Sequence, residues 1–355
     1  MTGGSFRTVP DHRPPTTGHR PLFSRFPELL ALPRAELGTF PSPVERFDEV
    51  AECPELWVKR DDLNAEVCGG NKVRSLEFLL GGVGAGDTVL TLGGEGSTHV
   101  LATAVHAARL GARTIAVRWP HDMSPVAERV AREAERRCAV TIRAWTAVDA
   151  VARAYALRLA RPVRYVPIGG SVPLGVLGHV NAALELADQV GAGELPTPAR
   201  IVVPLGSGGT AAGLALGLAM AGLETTLICA RVAPRIVSHR RRVLSLARAT
   251  GRLVRRLTGR RVPAVHASHV TVTHDVYGGA YGRPLAAGDQ AAAIFRGVRG
   301  ATLDATYSAK ACAAALQIAA HAEGPTLFWL TFAGRITAGS RESGVGLSDP
   351  TPDSR

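Results

Sequence analysis

Apolar residues fall along the chain in two rhythms. Short unbroken runs, DTVLTLG (87–93), RTIAVRW (113–119), ARIVVPLG (199–206), ETTLICAR (224–231) and TLFWLTF (326–332), do not alternate with polar residues and read as strands buried on both faces. Between them lie alanine-rich stretches with a helical pattern: THVLATAVHAARLG (98–111), SPVAERVAREAERRC (124–138), TAAGLALGLAMAG (210–222) and TYSAKACAAALQIAAHAEG (306–324). Gly111 is placed to end the first of these helices. Ser124 is placed to cap the second, with Pro125 at its first position. Buried strands alternating with helices predict an α/β fold with parallel sheets covered on both faces. No internal repeat is visible.

Composition narrows this picture. At 355 residues and 46% hydrophobic, the chain can bury a large core, and its length suggests about two domains. No apolar run reaches about 18 residues, so no membrane span is expected. Residues 1–20 lack the apolar segment of a secretory signal, and residues 338–355 (AGSRESGVGLSDPTPDSR) are polar, so both ends read as disordered tails. Five scattered cysteines without C-x-x-C spacing argue for a reducing, cytoplasmic setting and against a zinc cluster. The net charge of +11 owes much to arginines in residues 235–262. That segment lacks aromatic residues and reads as a solvated helical face, so no nucleic-acid partner is expected. His266, His269 and His274 have only Asp275 as a nearby acid, and no metal is expected there.

Candidate chemistry starts with lysine. Only Lys59, Lys72 and Lys310 are lysines among 41 Lys and Arg residues. A desolvated lysine can become a neutral amine and form a Schiff base, which arginine cannot do. Lys72 follows Gly-Gly-Asn directly, in EVCGGNKVRSLEF (66–78). A second signal is IVVPLGSGGTAAG (201–213): a strand, a glycine-rich turn, then a helix, whose free amides suit a phosphate. It lacks the Lys-Ser/Thr of a nucleotide P-loop. Gly206 to Ala211 does fit the dinucleotide fingerprint G-x-G-x-x-A, but the next strand ends Cys229-Ala230-Arg231 without the expected acid. NAD is thereby disfavoured, while an NADP oxidoreductase stays open.

Five ordered stretches then converge. LWVKRDDLNAEVCGGNKVRSLEFLL (56–80), GGEGSTHVLATA (93–104), YVPIGGSVPLGVLGHV (165–180), VPLGSGGTAAGLALGL (203–218) and the segments YGRPLAAGDQ and GATLDATYSAKACAAAL within 281–316 resemble one family. It is the aminocyclopropane-carboxylate deaminase and D-cysteine desulfhydrase family of fold type II, tryptophan-synthase-β-like, pyridoxal-phosphate (PLP) enzymes. The resemblance covers about residues 35–335.

It implies two parallel or mixed-sheet α/β domains with PLP in the cleft between them. Residues 21–74 and 169–337 would form the large domain and 75–168 the small one. Lys72 would form the Schiff base and move the α-proton, alone or with Ser97. Asn71 would bind the cofactor's ring hydroxyl, and Gly206, Ser207, Gly208, Gly209 and Thr210 its phosphate. Ser97, Thr98 and His99 would bind the substrate carboxylate. Tyr307 would stack near the ring or act as an acid. Ser308, with Thr331 as a second hydroxyl, would face the pyridine nitrogen where the deaminases proper carry Glu. A hydroxyl supplies no charge, which points away from ring-opening and toward α,β-elimination. Thr98, Ala305, Ala309 and Phe332 depart from the family pattern and leave substrate identity open. The implied function is a PLP-dependent lyase releasing ammonia and a 2-oxo acid from a small amino acid, acting as a homodimer. Its alternatives are a β-substituting synthase and a non-catalytic PLP or amino-acid binder.

Overall fold

The structure is a computed structural model that describes residues 20–50 and 52–336. The tails expected at the two ends lie outside these residues, except that Arg20 is buried and pairs with Glu77 at 2.7 Å.

In chain order the elements are α1 (Pro21–Arg25), β1 (Val44–Arg46), β2 (Leu56–Arg60), α2 (Asn71–Leu79), β3 (Thr88–Gly94), α3 (Thr98–Arg109), β4 (Arg113–Trp119), α4 (Pro125–Arg137), β5 (Val140–Arg143), α5 (Ala147–Ala160) and β6 (Arg164–Val166). There follow α6 (Pro173–Gly191), β7 (Arg200–Leu205), α7 (Gly209–Ala221), β8 (Thr226–Arg231), α8 (Arg240–Thr258), β9 (Val270–Thr273), α9 (Ala286–Arg299), α10 (Ser308–Ala319) and β10 (Thr326–Leu330).

Two sheets result. One has the order β1-β2-β10-β7-β8-β9, the other β5-β4-β3-β6. Every pairing is parallel except β1 with β2, where a three-residue strand closes an edge without a helical crossover. The unbroken apolar runs are the central strands: β10 is buried at all five positions, and β3 at all but its first. Helices covering both faces account for that, since each side chain then leaves water whichever way it points.

Small residues set the closest helix contact. A Cβ on Gly213 of α7 would lie 2.3 Å from the His179 Cβ of α6, and one on Gly217 2.6 Å from the Ala183 Cβ. Glycine at both positions lets the two backbones approach. The arginine-rich α8 buries Val243, Ala247, Thr250 and Val254, a single stripe at helical spacing. Each buried valine on it contributes about 1.5–3 kcal/mol, while the arginines remain on the outer face. Ser124 caps α4 by accepting the Ala127 N–H at 3.2 Å.

A buried charge cluster anchors α2. Arg74 donates to Asp61 and Glu185 at 2.6 Å and 2.9 Å, and Lys59 Nζ donates to Glu185 Oε1 at 2.6 Å. Lys59 also donates to Gln189, and the Trp329 indole N–H donates to Asp61 at 2.8 Å. Two cations facing two carboxylates, with hydrogen bonds filling the remaining sites, make the buried charge tolerable. The cluster ties β2, β10 and α6 to the helix that carries Lys72. Among the described residues no helix is long and apolar enough to cross a membrane.

Candidate active site

Parallel strands of both sheets end at one crevice, where open α/β folds place their ligands. The crevice is a cavity of about 330 Å³ lined by Asn71, Lys72, Ser97, Thr98, His99 and Gly206 to Thr210, together with Trp119, His121, Tyr281, Asp304, Tyr307, Thr331 and Phe332. The sequence-predicted residues are thus brought together, and Ser308 stands just behind Thr331, their hydroxyl oxygens 3.3 Å apart.

Lys72 is the second residue of α2. The turn before it depends on Gly70, whose φ of +146° excludes other residues and whose Cβ would stand 2.3 Å from the Thr331 carbonyl oxygen. That carbonyl accepts the Asn71 N–H at 3.0 Å, which ties the start of α2 to the end of β10. The strand therefore stops at Leu330, two residues before the apolar run does, because Thr331 turns its polar groups to the site. Burial pulls the Lys72 amine down to about 8, against the opposing charge of Asp304. The other lysines are committed elsewhere: Lys59 to the cluster below α2, and Lys310 Nζ to the Tyr277 carbonyl at 2.8 Å.

The loop after β7 turns through Gly208 at φ +92° into α7. Asn71 Nδ2 donates to Thr210 Oγ1 at 2.8 Å, linking the lysine segment to this loop. Ser171 reaches in from the start of α6: its Oγ stands 2.6 Å from Ser207 Oγ and accepts the Gly209 N–H at 3.1 Å. Ser238 and Arg242 hold the carbonyls of Gly206 and Ser207 from outside, at 2.7 Å and 2.9 Å. These contacts fix the loop at the N-terminus of α7, a position that favours an anion.

On the opposite wall Ser97 caps α3, accepting the Val100 N–H at 3.4 Å, and Thr98 begins that helix. His99 is turned inward, with Nε2 3.2 Å from Thr91 Oγ1. Burial first and Lys72 second push its ring down to about 3, so it is neutral.

The third wall is phenolic. Tyr281 and Tyr307 meet oxygen to oxygen at 2.7 Å, and burial raises Tyr281 to about 12 and Tyr307 well above the usual value. Below them Asp304 accepts the backbone N–H groups of Tyr307 and Ser308 at 2.7 Å and 3.0 Å, capping α10. Burial raises the Asp304 carboxyl, and those hydrogen bonds oppose the rise. Sequence reasoning had not singled out Ser171, Trp119, His121, Tyr281 or Asp304 as site residues. Tyr281 and Asp304 lie inside segments that carried the resemblance, whereas Trp119 ends β4 and His121 follows it with no motif around them. Among the histidines outside the cavity, His274 Nδ1 accepts from Arg231 at 2.8 Å.

Comparison with known proteins bears on this geometry. The chain is 37% identical over 337 residues to a protein of Nocardia uniformis subsp. tsuyamanensis named nocardicin C-9' epimerase, covering 91% of this chain and 98% of that protein. It is 33% identical over 321 residues to a D-cysteine desulfhydrase of Salmonella choleraesuis (strain SC-B67), covering 84% and 94%. Among solved structures, one titled as an ACC deaminase homologue superposes with a TM-score of 0.72 at 27% identity, over 88% of this chain and 94% of that one. Threonine deaminase isoform 2 of Solanum lycopersicum shares the fold, with a TM-score of 0.59 at 15% identity over 92% and 90%. Residues 35–331 match the family described as pyridoxal-phosphate dependent enzyme, and with a fold type II architecture around a buried lysine of lowered pKa, the chain belongs to that family.

Proposed function

We propose that the protein is a lyase that takes the α-proton from a small amino acid bearing a β-leaving group and completes an α,β-elimination, releasing ammonia and a 2-oxo acid. The observation that carries this reading is Lys72, whose amine opens onto the cavity and is pulled down to about 8 by burial.

The residues present fit pyridoxal phosphate. A Cβ on Gly206 would come within 3.1 Å of the Tyr307 ring, so glycine there keeps that side of the cavity open, and the Gly206–Thr210 loop at the N-terminus of α7 would receive the phosphate. Lys72 would hold the cofactor's aldehyde carbon, Asn71 its ring hydroxyl, and Ser308 and Thr331 its nitrogen. When bound, the cofactor supplies an electron sink for charge developing at the α-carbon.

The chain's own groups do the rest. Lys72 Nζ can take and return a proton near neutral pH. Ser97 Oγ, already accepting from Val100, keeps its hydrogen free for a substrate carboxylate at the positive end of α3. Tyr281 and Tyr307 both hold their protons at neutral pH, so the pair is a proton donor distinct from Lys72. Ser308 supplies a hydroxyl in place of a carboxylate, which supports elimination over ring-opening. A homodimer in the cytoplasm completes the proposal; the compartment is supported by Cys53, Cys68, Cys138, Cys229 and Cys312 all being free, and the dimer rests on the family resemblance alone.

A second reading, epimerisation at the α-carbon, is favoured by the 37% identity to a protein named as an epimerase. It needs the same proton removal, followed by return from a different acid, for which the phenol pair is placed. Incubating the holoenzyme with D- and L-cysteine and β-chloroalanine in D2O separates the two. Ammonia with a 2-oxo acid supports the lyase; α-deuterated, inverted amino acid without ammonia overturns it in favour of the epimerase.

A further inference from the structure

His121, two residues past the end of β4, has one ring nitrogen committed and one free. Nδ1 lies 2.6 Å from the Asp122 carbonyl oxygen. A carbonyl only accepts, so Nδ1 carries the hydrogen, and in the neutral ring Nε2 presents a lone pair. Nε2 is shielded from solvent and has no partner in the protein. A buried acceptor without a donor is costly, and it becomes useful when a ligand brings the donor.

The surroundings are shaped for this ring. A Cβ on Gly94, at the end of β3, would stand 2.5 Å from its Cδ2 and 2.7 Å from its Nε2. A Cβ on Gly282 would stand 2.9 Å from Nδ1 on the other side. The imidazole therefore fills a slot that only glycine on both flanks leaves open. It meets the Tyr281 ring edge-on, 4.8 Å between centroids, and lines the same cavity as Lys72. The Trp119 indole nitrogen lies 3.6 Å from that same Cβ position on Gly94, which sets an N–H donor close to the free acceptor.

Resting on the reading of the cavity as an amino-acid site, we propose that His121 Nε2 and Trp119 Nε1–H form an acceptor–donor subsite for the substrate's side chain. The substrate class is then amino acids whose side chain ends in a hydroxyl or primary amide, groups that donate and accept together. His121 is a specificity residue in this assignment, acting on what is bound and not on the proton at the α-carbon.

The test titrates the cofactor absorbance of the holoenzyme with serine against O-methylserine, and with asparagine against its N,N-dimethyl amide. Methylation removes the donor and keeps the acceptor. In at least one pair the donor-bearing member binds the wild type about tenfold tighter or more. His121→Phe preserves the ring against Tyr281 and reduces that ratio to about threefold or less, leaving the methylated partner's affinity within about threefold. His121→Gln restores an acceptor and part of the ratio. Ratios near one in the wild type, or unchanged in His121→Phe, overturn the assignment. Should the Phe variant not fold, the wild-type ratios and those of His121→Gln decide it. Because the titration reads binding alone, selective binding with neither ammonia nor inverted product sinks the lyase reading and leaves this subsite standing.

Discussion

The hydroxyl oxygens of Tyr281 and Tyr307, brought from segments 26 residues apart, share a 2.7 Å hydrogen bond in the cavity that the glycine loop after β7 also lines. Each phenol keeps its proton because each is buried, and the bond fixes which way both point. Removing one should therefore impair the other. Tyr307→Phe is expected to lower kcat on β-chloroalanine by about 10²–10⁴, and Tyr281→Phe by about tenfold. Melting curves should show losses of only about 0.5–1.5 kcal/mol for either change. Equal, small effects on kcat would show that the pair orders the wall without moving a proton.

Lys72 should destabilise the empty site. Its folded pKa of about 8 lies below the usual lysine value, so the folded chain holds fewer protons than the unfolded chain between the two. Stability then rises with pH across that window and is penalised below it. Lys72→Met is expected to raise apoprotein stability by roughly 1–3 kcal/mol at pH 7, with the gain vanishing above about pH 10. Urea unfolding at both pH values checks this. In the wild type, uptake of pyridoxal phosphate should accelerate with pH and reach half its maximum near 8, since only the neutral amine attacks an aldehyde.

Ser171 and Gly208 should govern cofactor retention. Ser171→Ala leaves the Gly209 N–H and Ser207 without their partner, and Gly208→Val forces a β-branched residue to φ +92°. Both are expected to weaken retention of pyridoxal phosphate in equilibrium dialysis by tenfold or more, while kcat at saturating cofactor stays within about threefold. Unchanged retention would remove the phosphate from this loop.

Ser308 tests the choice between two chemistries. Its side chain is fully buried between Thr331 and the Asp304 carboxylate. A glutamate there would crowd a second negative charge against Asp304, so Ser308→Glu is expected to cost about 3–5 kcal/mol, and Ser308→Ala about 0.5–1.5 kcal/mol. The wild type should consume β-chloroalanine far faster than aminocyclopropane carboxylate. Efficient ring-opening would overturn the elimination reading and leave Lys72 untouched.

The cluster beneath α2 sets acid stability. Arg74 and Lys59 hold Glu185 down to about 2 in spite of its burial. A carboxylate whose folded pKa is depressed contributes stability that is complete above its unfolded value and lost as pH falls toward 2. Urea midpoints should decline between about pH 4.5 and 2, more steeply in the wild type than in Glu185→Gln. That variant should itself lose about 3–5 kcal/mol at pH 7, because Arg74 and Lys59 stay buried with less opposing charge.

Much was legible in the chain by itself. Non-alternating apolar runs marked the buried strands, since a strand covered on both faces has no polar side to show. Ser124-Pro125 marked the start of α4 because capping is local chemistry. Rarity and the glycines before it singled out Lys72, and the glycine turn after β7 marked a loop that lines the same cavity, because both depend on a few consecutive residues. What only the tertiary structure decided is long-range. That Ser171 enters the anion loop, that Thr331 leaves β10 to meet Asn71 and Ser308, and that His121 fills a slot between Gly94 and Gly282 are contacts between residues distant in sequence. None has a periodicity or a spacing to betray it. Each arises because parallel strands of two sheets end at one crevice, and folding alone brings those ends together.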